Sequence, residues 1–140
     1  MILLETNVLS ELLKPRRDAA VVAYVARHSP DQLFTAAICE AELHYGIARL
    51  PDGRRRNELT AKVRELMDRA LSGQVLRFDR ACAVQYGDLR ARRERAGRPI
   101  SVEDALIAAT ACAYGMTVAT RDVEGFAGSG VDVVDPWTVT

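Results

Sequence analysis

The sequence predicts an α/β fold in which helices cover both faces of a mostly parallel central sheet of about five strands. Three observations lead there. Short apolar runs alternate with longer segments of helical periodicity along the whole chain. The first run, Met1-Ile2-Leu3-Leu4, is apolar without alternation, as expected of a strand buried on both faces. Acidic residues follow two of the strand-like runs directly, Glu5 after the first and Asp122 after Thr117-Val118-Ala119-Thr120-Arg121. In open parallel sheets, ligand sites gather beyond the carboxyl ends of the strands.

Each element has its own signal. After the first strand, Thr6 or Asn7 is placed to cap a helix through Val8 to Leu13, which Pro15 ends. Asp18 begins a second helix, with Val22, Val25 and Ala26 among its apolar positions, closing before Ser29-Pro30. Leu33-Phe34-Thr35 reads as the second strand. A helix over 37–50 follows, then the turn Pro51-Asp52-Gly53 and a helix over 54–71 whose stripe is Leu59, Val63, Leu66, Met67 and Ala70. Residues 74–78 read as the third strand, and Asp79 caps a helix reaching Ala96. Beyond Gly97-Arg98-Pro99, Ser101 opens a helix that is apolar around most of its circumference and so belongs deep in the fold. Gly115 ends it. Residues 117–119 form the fourth strand and 131–134 the fifth.

Composition narrows the function. At 140 residues the chain fits a single domain over residues 1–140, burying roughly 70% of the surface its unfolded form exposes. No charged leader precedes the first apolar run, and no stretch is long enough to span a bilayer, so a cytoplasmic protein with no membrane association is expected. The three cysteines, Cys39, Cys82 and Cys112, lack metal-ligand spacing and read as small core residues. A formal net charge of zero argues against a polycation that coats nucleic acid. The basic residues are nonetheless mostly arginine and clustered, as Arg54-Arg55-Arg56 and as Arg90, Arg92, Arg93, Arg95 and Arg98. Such blocks are either solvated helix faces or, beside an acidic centre, holders of a phosphate backbone.

Four acids distant in sequence, Glu5, Glu42, Asp104 and Asp122, are placed where this fold brings carboxylates together. Converging carboxylates repel one another unless they bind cations, and an all-oxygen set points to Mg²⁺ or Mn²⁺ rather than zinc. Each acid has a structural alternative. Ser101-Val102-Glu103-Asp104 has the spacing of a capping box. Asp122 is placed to cap a turn over 123–126. Glu5, at the tail of an apolar strand, is costly to bury unpaired. Periodicity does not separate Glu42 from Glu40 on their helix. His28 and His44 have no ligand-spaced partner, Ser10 has no nucleophile elbow, and no glycine-rich phosphate loop is present.

The chain resembles a known family. Met1-Ile-Leu-Leu-Glu-Thr-Asn-Val-Leu-Ser-Glu-Leu12, Ala41-Glu42-Leu43-His44-Tyr45-Gly46, Gly97-Arg98-Pro99-Ile100 with Asp104-Ala105-Leu106-Ile107-Ala108-Ala109, Thr120-Arg121-Asp122-Val123 and Asp135-Pro136-Trp137 are similar to PIN-domain toxins of the VapC family, including its FitB-like branch. The likeness runs from end to end. It implies a PIN-like three-layer α/β/α sandwich and a Mg²⁺- or Mn²⁺-dependent endoribonuclease, the toxin of a type II toxin–antitoxin pair. It also implies a homodimer, an RNA substrate, and inhibition by a VapB-type antitoxin whose C-terminal segment occupies the active-site groove. The acids matching Glu5, Glu42, Asp104 and Asp122 would form the metal centre, with Asn7 and Thr120 supporting it by hydrogen bonds.

One position departs from the resemblance, which calls for Asp where this chain has Glu5. The extra methylene displaces the carboxylate by roughly 1.5 Å, and Mg²⁺ tolerates little deviation from its preferred geometry. A weakened site is therefore expected. Two other readings stay open at this level: an RNA-processing PIN nuclease without an antitoxin, and a catalytically impaired binding module. A phosphoryl-acceptor domain is disfavoured by the lack of a paired acid beside Glu5 and of a well-placed lysine, Lys14 and Lys62 being the only two.

Overall fold

The computed structural model describes residues 1–139. Five strands form one entirely parallel sheet in the order β3-β2-β1-β4-β5, where β1 is Ile2–Leu4, β2 Leu33–Ala36, β3 Val75–Leu76, β4 Thr117–Ala119 and β5 Val133–Val134. The first strand is central because its residues are apolar on both faces; Leu3 and Leu4 are fully buried. It pairs with β2 through Ile2 and Leu3, and with β4 through Ile2, Leu3 and Leu4. From β1 the chain adds strands outward to β3, then returns to the other side for β4 and β5. The order reverses between β1 and β4, so a crevice is expected at their carboxyl ends.

Seven helices cover the sheet: α1 Thr6–Leu12, α2 Ala19–Ala26, α3 Ala37–Ala48, α4 Arg54–Glu65, α5 Arg80–Arg95, α6 Val102–Tyr114 and α7 Val123–Phe126. The most deeply buried is α6, whose Ala105, Ile107, Ala108, Ala109 and Ala111 are buried against the sheet and against α5. Gly115 ends it with φ of 67°, a left-handed turn that suits a residue without a Cβ. Asp18 and Asp79 cap α2 and α5 by accepting backbone N–H groups.

Several boundaries differ from the sequence expectation, for local reasons. Neither Thr6 nor Asn7 caps α1; Glu5 does, its carboxylate accepting the Asn7 N–H at 3.1 Å. The helix expected over 54–71 changes at Leu66 to a π-helical turn through Ala70, closed by Leu71 N–H on the Leu66 carbonyl. The third strand is shorter than 74–78, pairing with β2 only through Val75 and Leu76, while the Gln74 side chain donates to the Pro30 and Leu33 carbonyls. A short 3₁₀ turn at Pro30–Gln32 precedes β2, with Gln32 Oε1 accepting the Ser29 N–H. The fifth strand pairs only at Val133 and Val134.

All three cysteines are free, and burial pushes the Cys39 thiol up to about 11, leaving it un-ionised at neutral pH. No helix among the described residues is long and apolar enough to cross a membrane.

Candidate active site

The crevice between β1 and β4 receives all four predicted acids, from four separate segments. Glu5 lies at the end of β1, Glu42 on α3, Asp104 in the first turn of α6, and Asp122 as the cap of α7. They meet as two pairs. Among the described residues, no three acidic, histidine or cysteine side chains stand close enough to hold one ion as placed.

The first pair is Glu5 and Glu42. Glu5 is only 7% exposed, and its Oε2 accepts the Asn7 N–H and the Thr120 hydroxyl, the latter at 3.4 Å. Glu42 Oε1 accepts the Thr6 hydroxyl at 2.8 Å. This bond resolves the choice between neighbouring glutamates, since Glu40 instead pairs with the exposed His44 one turn along. Burial pushes the Glu5 carboxyl above its ordinary range; the negative charges of Glu42 and Asp104 add to the rise, and the Asn7 N–H opposes it. Burial raises Glu42 as well, opposed by the Thr6 hydroxyl and reinforced by Glu103 and Asp104.

The second pair, Asp104 and Asp122, converges over Gly125. A side-chain carbon at Gly125 would lie 2.3 Å from Asp122 Oδ2 and 2.9 Å from Asp104 Oδ2, so glycine leaves a point that both carboxylates face. The other oxygen of Asp122 accepts the Gly125 N–H at 3.1 Å. The Ser101 hydroxyl accepts the Asp104 N–H, forming one half of the capping box. Burial raises the Asp104 carboxyl, Asp122 and Glu103 raise it further, and Ser101 and Arg93 oppose the rise.

Thr120 joins the two pairs. Its hydroxyl oxygen accepts the Asn7 side-chain amide and the Asp122 N–H, both at 3.0 Å, while facing Glu5. Asn7 Oδ1 in turn accepts the Arg121 N–H. An all-oxygen set whose like charges crowd one another fits a hard divalent cation, which would relieve that repulsion.

Comparison with known proteins decides the family. The PIN domain model matches residues 2–127. "VapC ribonuclease Y4jK" of Sinorhizobium fredii is 42% identical over 137 residues, covering 98% of each chain. This chain belongs to the PIN-domain family, in its VapC and FitB branch. "Toxin FitB" of Neisseria gonorrhoeae is 37% identical over 98% of this chain and 99% of its own. The structure of FitAB bound to an IR36 DNA fragment superposes with a TM-score of 0.93 at 36% identity, covering all of this chain and 98% of that one.

Within this PIN-domain protein much of the second arginine block is engaged by the protein itself. Arg93 is buried and donates to the carbonyls of Arg98, Gly125 and Ala127 at 2.6, 3.1 and 2.7 Å. Arg92 donates to the Ser129 carbonyl, Arg90 to the Tyr86 hydroxyl, and Arg98 pairs with Glu124. From the first block, Arg56 pairs with Asp52. Four contributors to the site escaped sequence reasoning: Thr6 on Glu42, Glu103 at the rim, Gly125 beneath the aspartates, and Arg93 behind them. A hydroxyl beside a strand-end acid was a usable signal for Thr6; nothing in the arginine run distinguished Arg93. Beside Glu42, a groove of about 420 Å³ runs between α1, α3 and α4, lined by Leu13, Leu43, Leu59 and Val63 with Arg55 and Lys62 at its edge.

Proposed function

We propose that this chain, as one PIN domain, is the toxin of a type II toxin–antitoxin pair and an endoribonuclease that hydrolyses RNA phosphodiester bonds with Mg²⁺ or Mn²⁺. The observation that carries the reading is the convergence of four acids from four chain segments at the point where the strand order reverses. Glu5 and Asp104 would be the central ligands, with Glu42 and Asp122 beside them. When bound, such a cation lowers the pKa of a water and offsets charge developing on phosphate oxygens.

The chain's own residues set the stage for that chemistry. Thr6 fixes Glu42, while Asn7 and Thr120 fix Glu5 and the backbone at Asp122. With Oδ1 held by Gly125, Asp122 keeps Oδ2 directed at the point it shares with Asp104. The apolar groove between α1, α3 and α4 fits an amphipathic segment of a VapB- or FitA-type antitoxin, which would end against Glu42. A homodimer in the cytoplasm, assembled further with antitoxin, is part of the same proposal.

The test is cleavage of total RNA by the purified protein with Mg²⁺ or Mn²⁺, with and without chelator, followed by mapping of the ends. Attack by water predicts 5′-phosphate and 3′-hydroxyl ends; 2′,3′-cyclic phosphate ends would refute the mechanism. Tight antitoxin binding with no cation-stimulated cleavage would favour the impaired binding module.

A further inference from the structure

Next to the groove between α1, α3 and α4, and sharing Thr6, Ser10, Lys14 and Glu42 with it, lies a second cavity of about 420 Å³. One wall is Glu5 and Glu42; Ser10 of α1 and Lys14, just past the end of that helix, also line it, and Arg121 and Trp137 close the far side. This is room for one nucleotide unit, since small-molecule sites start near 300 Å³.

The far wall is a built platform. The Arg121 guanidinium lies 4.4 Å from the Trp137 ring centroid, close enough for a cation–π contact. Both residues are fixed through their backbones, Arg121 N–H on Asn7 Oδ1 at 3.2 Å and Trp137 N–H on Asp135 Oδ1 at 2.9 Å. Arg121 therefore shares its anchor with the network that holds Glu5 and Asp122. Its side chain is exposed and forms no ion pair among the described residues. Lys14 is already paired with the buried Glu11 at 3.0 Å; Glu11 also lines the cavity, accepts the Asp18 N–H and is near enough to Arg121 to feel its charge. The cavity thus has an acidic side toward the predicted metal centre and a planar cationic side opposite.

A planar guanidinium backed by an indole selects a planar π ligand, and a purine or pyrimidine stacks on such a surface. We infer that this cavity is a base-stacking subsite for the RNA nucleotide next to the scissile phosphate, with Arg121 on Trp137 as the platform. The inference rests on the ribonuclease reading and names what that site takes.

Trp137 is the single tryptophan of the chain, so its fluorescence reports this cavity alone. In chelator, where cleavage is off, a single-stranded trinucleotide of RNA should quench it saturably, and inorganic phosphate should not. Arg121→Ala should raise the trinucleotide Kd about ten-fold, and Arg121→Lys, which keeps the charge without the plane, should recover little of it. With cation restored, the Arg121→Ala loss should fall more on KM than on kcat. Equal quenching by phosphate, an unchanged Kd in Arg121→Ala, or full recovery in Arg121→Lys would each overturn the inference. Quenching that behaves as stated in a protein that cuts no RNA would instead count against the ribonuclease reading, leaving the stacking site in place.

Discussion

The two halves of the acidic crevice are built by different means. Around β1 and α1, two long carboxylates, Glu5 buried and Glu42 half-buried, are tied to neutral donors, the Thr6 and Thr120 hydroxyls and the Asn7 N–H. Around α6 and α7, two short carboxylates, Asp104 half-buried and Asp122 exposed, are aimed at one point over Gly125 and backed by a buried guanidinium. The first half is immobilised by hydrogen bonds before any ligand arrives. The second keeps one oxygen of each aspartate directed at a shared point. Together they provide rigidity on one side and unsatisfied charge on the other, joined by the single hydroxyl of Thr120.

The largest effect should come from breaking the open half. Asp104→Asn should lower RNA cleavage by about 100-fold or more, since even groups that only support a metal ligand cost 10–100-fold. The same variant should leave the fold intact and raise the Tm of the cation-free protein by a few degrees, because it removes charge from a crowded site. Thermal melts and cleavage rates on one preparation check both; wild-type cleavage would remove Asp104 from the site.

Arg93 tests whether that half needs its guanidinium. Arg93→Met leaves three loop carbonyls without their donor and should cost about 3 kcal/mol of stability by denaturant unfolding. Arg93→Lys, retaining charge with fewer donors, should fall between Met and wild type. A loss in Arg93→Met no larger than that of an exposed arginine variant would show that the loops stand without it.

The locked half is tested through its unusual cap. Asp is a preferred helix cap and Glu is not, because the longer side chain must fold back to reach the second helical N–H. Glu5→Asp should keep the cap and raise cation-dependent cleavage roughly ten-fold, as displacement of a reacting geometry by about 1 Å is costly. No gain would mean that Glu5 is as well placed as the shorter acid.

Much of this contrast was legible in the residues, and some was not. The apolar Met1–Leu4 run and the Ala-rich stretch after Ser101 each fit only one place, so β1, α6 and the acids at their ends were readable. Glu40 and Glu42 were inseparable by periodicity, because the bond that distinguishes them comes from Thr6, 36 residues earlier. Glu5 hid its cap, since a glutamate does not announce a helix start. Arg93 looked like part of a solvated arginine face; its burial is imposed by the loop around Gly125, 32 residues later. Local signals revealed elements and their ends, while partners supplied from distant loops left no local trace.

The smallest effect is a pH dependence that both halves share. Glu5, Glu42 and Asp104 all have folded pKa values raised above their ordinary 4.5, 4.5 and 3.8, burial being the main cause. The folded chain therefore binds more protons than the unfolded one as pH rises from those values. Their contribution to stability falls across that window and is lowest above the raised values. Glu11 and Asp79, lowered by Lys14 and Tyr114 respectively, work in the opposite sense. In chelator, Asp104→Asn should flatten the decline of Tm with rising pH; an identical slope in both proteins would contradict the assignment.

The central claim is tested most directly by titrating the wild-type protein and Asp104→Asn with Mn²⁺ and following the free ion by electron paramagnetic resonance. The account predicts saturable binding of one or two ions by the wild type, displaced by Mg²⁺ and lost or much weakened in the variant. Equal uptake by both proteins, or none by the wild type, would contradict it.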